Sequence, residues 1–114
     1  MTTLETMVSL LNSISGSPVV TAYEIPSTVK NAIIWKLIST VPINSMSGSL
    51  VEKLHIEVDC FGDTLSKSIS LADKVKAKLD LNNTNFHIGF LTNRFITKDI
   101  ELGLFESILE FHIW

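Results

Sequence analysis

The feature that most constrains the fold is a strict alternation of apolar and polar side chains over residues 54–60. In order, the side chains are Leu, His, Ile, Glu, Val, Asp and Cys. Because successive side chains of a strand point to opposite faces, this segment predicts a β-strand with one apolar and one polar face. A chain built around such a strand needs a covering layer on the apolar face of its sheet.

Two amphipathic segments can supply that layer. The first has apolar residues at helical spacing, namely Leu4, Met7, Val8, Leu11 and Ile14. Thr2 and Glu5 form a capping-box pattern at its start, and Gly16 and Pro18 end it. The second is predicted over residues 64–79, capped by Gly62-Asp63, with a buried stripe of Leu65, Ile69, Ala72, Val75 and Leu79.

The rest of the chain divides into further extended segments and connectors. Three more strands are predicted over residues 32–39, 86–97 and 104–113. Residues 19–25 form a short extended piece, 40–49 a connector with Pro42 and Gly48, and 82–85 an Asn-rich turn. The order helix, strand, strand, helix, strand, strand predicts a single α+β domain over residues 1–114. We expect a two-layer sandwich in which both helices cover one face of a four-stranded, mostly antiparallel sheet.

The composition indicates that part of the surface is covered. Apolar residues make up 46% of the 114 residues and charged residues 18%, against about 25% charged in average domains. A small domain has a large surface for its volume, so self-association is the simplest explanation. A monomer rich in Ser, Thr and Asn is the alternative. The net charge of −3 speaks against a protein that coats nucleic acid.

No segment predicts membrane insertion or export. The longest uninterrupted apolar run, Ala32 to Trp35, is far shorter than the ~20 residues of a membrane-spanning helix. The N-terminal segment lacks a basic leader, and Glu5 interrupts its apolar stretch. We expect a protein made in the cytoplasm, and its single cysteine excludes an internal disulfide.

The sequence contains no recognisable catalytic or cofactor-binding motif. Its histidines, His55, His87 and His112, fall on three different strands and lack the spacing of metal ligands on a helix. A zinc site assembled from strands is the alternative. Cys60 lies on the apolar side of its strand, which favours a buried thiol over a nucleophile. We therefore expect no enzyme activity, no cofactor and no metal.

Four carboxylates occupy the polar positions of two strands, at Glu57, Asp59, Glu106 and Glu110. The simplest interpretation is an acidic, water-facing sheet face without a pocket. The functional interpretation is an acidic surface that lines a channel through which DNA slides without sticking.

Three segments together resemble a known family. They are 54–63 (LHIEVDCFGD), 68–79 (SISLADKVKAKL) and the closing 99–114 (DIELGLFESILEFHIW). They resemble the tail completion or tail terminator proteins of long-tailed bacteriophages. The N-terminal helix, the segment at 19–26 and the apolar strand at 32–39 are compatible with the same family, so the resemblance covers nearly the whole chain.

The resemblance implies a structural role in the virion. Such proteins form a ring, commonly of six subunits, on the head-proximal end of the tail tube, where they stop tube polymerisation and offer a surface to the head connector. The expected partners are further copies of the chain, the tail tube protein and the head connector or head-completion protein, with DNA as non-specific cargo in the lumen. Residues of two loops are candidates for the docking surface, namely Ile43, Asn44, Met46, Asn83 and Asn85.

Three alternatives to a tail terminator remain open on the sequence alone. They are a head-completion or connector protein of the same neck region, a small ligand-binding or catalytic α+β domain, and a monomeric adaptor.

Overall fold

The computed structural model describes residues 2–16, 18–24, 31–44, 50–84, 89–101 and 103–114, and for 41–44 and 50–52 it describes the backbone alone. Its elements in chain order are α1 (Thr3–Asn12), β1 (Val19–Ala22), β2 (Ala32–Asn44), β3 (Leu50–Gly62), α2 (Leu65–Leu79), β4 (Gly89–Asp99) and β5 (Leu104–Ile113).

Within the described residues, the sheet has five strands in the order β1-β2-β3-β5-β4. The α+β class and the mostly antiparallel pairing are confirmed, but the predicted number of four strands is wrong. The extra strand is β1, whose four residues pair parallel to the start of β2, with Val19 opposite Ala32 and Ala22 opposite Trp35. The other neighbouring pairs are antiparallel. A segment of four residues is too short to show a reliable alternation, so its sequence indicated only an extended piece.

The β2–β3 hairpin is longer than predicted. Its strands pair from Ala32 opposite Phe61 to Asn44 opposite Leu50, with one bulge between Leu37 and Ser39, so much of the predicted connector at 40–49 is strand. Pro42 fits there because β1 pairs with β2 no further than Trp35, which leaves an edge where a missing N–H is tolerated. Since β5 pairs with β3 from Leu54 onward, the far end of the hairpin has no third strand among the described residues.

Local capping sets where both helices begin. The Thr2 side chain accepts a hydrogen bond from the Glu5 backbone N–H at 3.1 Å, as the predicted capping box requires. Helix α2 is capped by Thr64, which accepts from the Lys67 N–H at 3.2 Å, and not by Gly62-Asp63 as predicted. Gly62 has a different role, because a Cβ at this position would lie 2.6 Å from the backbone nitrogen of Ser68.

Both helices cover the same face of the sheet. The apolar set of the alternating segment is buried there, together with apolar residues of both helices and of β5: Leu54, Ile56, Val58, Cys60, Met7, Leu11, Val75, Leu79, Leu109, Phe111 and Ile113. The period-two prediction is confirmed, and the burial of Cys60 raises the pKa of its thiol. Within the described ranges, no helix is long and apolar enough to cross a membrane.

Candidate functional site

The candidate site is the sheet face that the helices leave uncovered, here called the open face. The strand registers place on it Ile34 and Lys36 of β2, His55, Glu57, Asp59 and Phe61 of β3, Glu106, Ile108, Glu110 and His112 of β5, and Phe90, Asn93 and Phe95 of β4. The four predicted acidic residues therefore share one face, as the alternation indicated. Whether that face lines a channel stays a prediction.

Like charges stand opposite each other at the centre of this face. Glu57 of β3 is directly paired with Glu110 of β5, an arrangement that is unfavourable without a compensating cation. Lys36 supplies one, with its Nζ 3.3 Å from Glu57 Oε2. On the other side, His55 Nε2 lies 3.4 Å from Glu110 Oε2. The open face thus carries a network of charged groups across three strands, in which few basic side chains compensate the negative charges of the acidic ones.

Asp59 departs most from the expected water-facing surface. It is 2% exposed, so the prediction of a solvated carboxylate is wrong at this position. Its Oδ2 lies 3.2 Å from Lys36 Nζ, whereas its Oδ1 has no hydrogen-bond donor. Burial and the neighbouring Glu57 raise the pKa of Asp59 to about 7, although Lys36 opposes the shift. The carboxyl group is therefore poised to exchange its proton near neutral pH.

Asp59 lies in a recess of about 190 Å³, here called the acidic recess, which is lined by Tyr23, Ile34, Lys36, Asp59, Phe61, Asp99 and Glu106. Burial also raises the pKa of Glu106, and Asp99 and Glu57 add to the shift. This recess could not be predicted from the sequence, because its lining residues come from five separate segments.

Tyr23 forms one wall of the acidic recess and also closes part of the β2 edge. Its backbone adopts a left-handed conformation, with φ of 65°, directly after β1. The Tyr23 hydroxyl accepts a hydrogen bond from the Leu37 N–H at 3.1 Å and lies 3.2 Å from the Leu37 carbonyl, to which it donates. The side chain therefore satisfies backbone groups that β1 is too short to reach.

The opposite end of the open face is aromatic. His55 and His112 face each other across β3 and β5 with ring centroids 4.7 Å apart. Burial, Lys53 and His55 lower the pKa of His112, which keeps this ring neutral more readily than a free histidine. Phe90 packs on Trp114 at 5.8 Å, yet Phe90 remains exposed.

Exposed apolar side chains continue along the open face. Phe95 of β4 is about half exposed there, and Ile38 is half exposed at the bulge of β2, where the regular alternation of faces is interrupted. Exposed apolar side chains beside charged groups are compatible with a surface that contacts another macromolecule.

The predicted docking residues are only partly within the described chain. Ile43 and Asn44 end β2, and their side chains lie outside the described part, as do Met46 and Asn85 entirely. Asn83 is exposed after α2. Two of the three histidines, His55 and His112, lie in contact, which the sequence did not reveal. The third, His87, lies outside the described residues.

A larger cavity of about 350 Å³ lies on the helix side, between the end of α1 and α2. Its cationic groups are engaged, because Lys67 pairs with Asp63 at 3.1 Å and Lys74 donates to the Ser15 carbonyl at 3.2 Å. Among the residues that the structure describes, no group of three or more His, Cys, Asp or Glu could hold a metal ion. The open face is therefore the stronger candidate for function.

Comparison with known proteins gives a structural likeness. No protein-family model and no curated protein matches the chain. The fold is similar to a chain of a solved structure described as the virion of a native gene transfer agent (GTA) particle. The TM-score is 0.65 at 9% sequence identity, and the match covers 94% of this chain and 81% of that chain. At this identity the likeness establishes a shared fold over nearly the whole length.

Proposed function

We propose that the chain is a structural virion protein that forms a ring, hexameric by family resemblance, at the head-proximal end of a tail tube. The ring ends polymerisation of the tube and offers the surface to which the head connector or head-completion protein joins. This role needs neither catalysis nor a cofactor. Copies associate through a head-to-tail interface that closes on itself, which keeps the assembly finite.

The fold likeness is the observation that carries this proposal. A chain from a virion particle shares the fold over 94% of this chain, and the sequence independently resembles tail terminators along the same length. The likeness supports a virion component, and the sequence resemblance supports the more specific place at the end of the tail.

The uncovered surfaces of the sheet fit a protein that works in an assembly. The open face carries exposed apolar side chains, and no described strand pairs with the outer edge of β4 over Gly89–Asp99. An exposed edge strand can add a strand from a neighbour. A ring subunit with two interfaces of about 800 Å² each would cover roughly a quarter of its 6505 Å² surface, which explains the low share of charged residues.

In the proposed ring, the acidic open face lines the DNA passage. Glu57, Glu106 and Glu110 are partly exposed on it and would repel the phosphate backbone, so that DNA moves without binding. Asp59 is too buried to contact DNA and contributes only to the local field.

The decisive experiment is electron microscopy of particles made with and without the intact gene, combined with addition of the purified chain to tail tubes. A terminator yields tubes capped by a ring at one end, and its deletion yields overlong or unattached tails. Binding to filled heads with no effect on tail length would instead establish a head-completion protein. If the chain associates with neither tubes nor heads, both roles are refuted, and the small ligand-binding domain becomes the favoured alternative.

A further inference from the structure

A side chain occupies the place of a strand at the free edge of β2. β1 pairs with β2 no further than Trp35. Directly beyond, the Leu37 N–H donates to the Tyr23 hydroxyl at 3.1 Å, and the same hydroxyl donates to the Leu37 carbonyl at 3.2 Å. A residue of an antiparallel neighbouring strand would make the same pair of hydrogen bonds, one accepted and one donated. The hydroxyl of Tyr23 therefore stands in for a strand where no described strand pairs with this edge.

This contact, here called the Tyr23 latch, is easily displaced. The Tyr23 side chain is 57% exposed, and its ring contacts Trp35 only at a tilt, with the ring centroids 6.3 Å apart. Its backbone φ of 65° lies in the left-handed region, which is unfavourable for a residue with a Cβ. Beyond the latch, β2 continues as far as Asn44 without a described strand on this side. Opening the latch would make that whole stretch available to a partner strand.

The opposite edge of the sheet is open over only part of its length. The chain itself covers the start of β4, because the Leu81 N–H donates to the Gly89 carbonyl at 2.7 Å and the Leu91 N–H donates to Asp80 Oδ1 at 2.9 Å. From Thr92 onward, no described strand pairs with the outer side of β4. The open part of this edge therefore begins at Thr92.

The open part of β4 carries apolar side chains on both of its faces. Phe95 is 43% exposed and Ile96 is 45% exposed, and as neighbours in a strand they point to opposite faces. A partner docked on one face of the sheet would cover only one of them, whereas a strand added at the edge would contact both. Edge strands that stay unpaired are usually protected by charges or bulges, and the bulge of β4 lies before this stretch, between Leu91 and Asn93. The pattern favours strand addition.

The directions of the strands make the two open edges complementary. Each step of the order β2-β3-β5-β4 is antiparallel, so β4 runs opposite to β2. When a second copy continues the sheet in the same sense, its β2 therefore meets β4 as an antiparallel neighbour. With the two open stretches fully overlapped, Lys98 of β4 comes beside Leu37, where Glu24 follows Tyr23. Lys98 and Glu24 are both exposed and have opposite charges, which favours this pairing.

We propose that the outer edge of β4, from Thr92 to Lys98, pairs antiparallel with the free edge of β2 in a second copy and displaces the Tyr23 latch there. The sheets of neighbouring copies then continue into one another, with their open faces on the same side. Each copy offers β4 at one edge and β2 at the other, so the interface is head to tail and closes into a ring when the rotation allows it. The inference rests on the proposed ring for that closure and names the interface that forms it.

The first experiment tests the latch. Tyr23→Phe keeps the ring and removes the hydroxyl, so association no longer has to break two hydrogen bonds. Self-association, measured by sedimentation equilibrium, should become tighter by about 3- to 10-fold. The matched control is Thr6→Val, which removes a hydroxyl that donates to the Thr2 carbonyl at 2.9 Å on α1 and should change nothing. The inference is overturned if Tyr23→Phe associates no more tightly than the natural chain, or if both stay monomeric at millimolar concentration.

The second experiment blocks each edge in turn. Ile96→Lys places a charge on the β4 edge and Ser39→Lys places one on the β2 edge, both at exposed positions. Each variant alone should lose at least about 30-fold in affinity. Mixed together, they retain one intact pair of edges, and we expect a one-to-one heterodimer that grows no further. A Ser39→Lys chain that still dimerises by itself would show β4 pairing with β4, and a mixture that gives no heterodimer would exclude β4–β2 pairing, so either result overturns the inference.

A charge exchange tests the register without blocking an edge. Lys98→Glu should weaken association by roughly 5-fold, and adding Glu24→Lys to the same chain should restore it. Failure of the second change to restore association would overturn the placement of Lys98 beside Glu24. Tube capping is measured separately on all variants. Chains that cap tubes with blocked edges keep the proposed function and lose this inference, whereas a natural chain that associates through these edges but caps no tube loses the proposed function alone.

Discussion

Replacing Asp59 by asparagine is expected to stabilise the folded chain above neutral pH. The substitution keeps the shape of the side chain and removes its charge. In the structure Asp59 is 2% exposed and has one cationic neighbour, Lys36. Its Oδ1 has no hydrogen-bond donor. Lys36 keeps a second partner, because Glu57 lies 3.3 Å from its Nζ. The loss of the ion pair is therefore partly compensated.

The pKa of Asp59 sets the size of the effect. It rises from 3.8 in the unfolded reference to about 7 in the folded chain. Between these values the folded chain holds a proton that the unfolded chain has released, so the free energy of unfolding falls as pH rises through this window. At 1.36 kcal/mol per unit, the full shift amounts to ~4 kcal/mol. An amide in the same place remains incompletely hydrogen-bonded, which reduces the expected gain to roughly 1–3 kcal/mol at pH 8.

The assay is urea unfolding of the natural chain and the variant at about pH 5 and about pH 8, at equal ionic strength. The difference in unfolding free energy between the two chains should be small at the lower pH and favour the variant at the higher pH. Taking the difference removes the contribution of groups that titrate equally in both. The charges around Asp59 that both chains share are Lys36, Glu57, Glu106 and Asp99.

The matched control is Asp73→Asn, the same substitution at an exposed carboxylate that pairs with Arg94 at 2.9 Å. A surface ion pair contributes about 1 kcal/mol or less, so this variant should differ little from the natural chain at either pH. If Asp59→Asn instead destabilises the chain at pH 8, the ion pair with Lys36 outweighs the cost of burial, and the reasoning about the recess is refuted.

Three further predictions test the fold and the proposed role. Glu110→Lys should slow DNA ejection while rings still form, measured by the fluorescence of released DNA. Unchanged ejection kinetics would refute the proposal that the acidic open face lines the DNA passage. Charged residues at Ile43 and Met46 should weaken docking in a tube-binding assay yet leave the melting temperature unchanged; a collapse of stability would place these residues in a core. Gly62→Ala should lower the free energy of unfolding by roughly 1–3 kcal/mol, since its Cβ would meet the backbone of α2 at 2.6 Å; an unchanged urea midpoint would contradict that contact.

Local patterns in the sequence were sufficient for the elements whose cause is local. The alternation at 54–60 places its apolar set in the core because side-chain direction in a strand follows from position alone. The cap at Thr2 depends on residues within one helical turn. Both features were predictable without knowing what the elements contact.

Strand β1 and the end of β2 could not be predicted in the same way. β1 is held by pairing with β2 and by the hydroxyl of Tyr23, which reaches across to Leu37. Pro42 indicated irregular backbone, but it is tolerated within a strand at an edge where no described strand pairs with it. In both places the deciding factor is which strand lies next to the segment, and the sequence does not encode that locally.

The candidate site, too, could be predicted only in part from the sequence. The alternation places Asp59 on the polar face together with Glu57, and the structure confirms this. It does not reveal that Asp59 is buried, because the walls of the acidic recess come from Tyr23 before β2 and from Asp99 and Glu106 on two later strands. Whether a polar position of a strand is buried depends on which other segments the fold places around it, and the alternation of side chains does not encode this.

The charges on the open face lower the stability of the isolated chain, and the proposed assembly offers a reason for them. Glu57 faces Glu110, and the buried Asp59 pairs with Lys36 through Oδ2 while its Oδ1 has no donor. Apolar residues of similar volume at such positions commonly leave a protein equally or more stable. Charges that weaken the isolated chain are understandable when the working state is different, as in the proposed ring, where Glu57 and Glu110 would face water and DNA in the lumen. If the assembled ring showed both glutamates covered by protein, this explanation would fail.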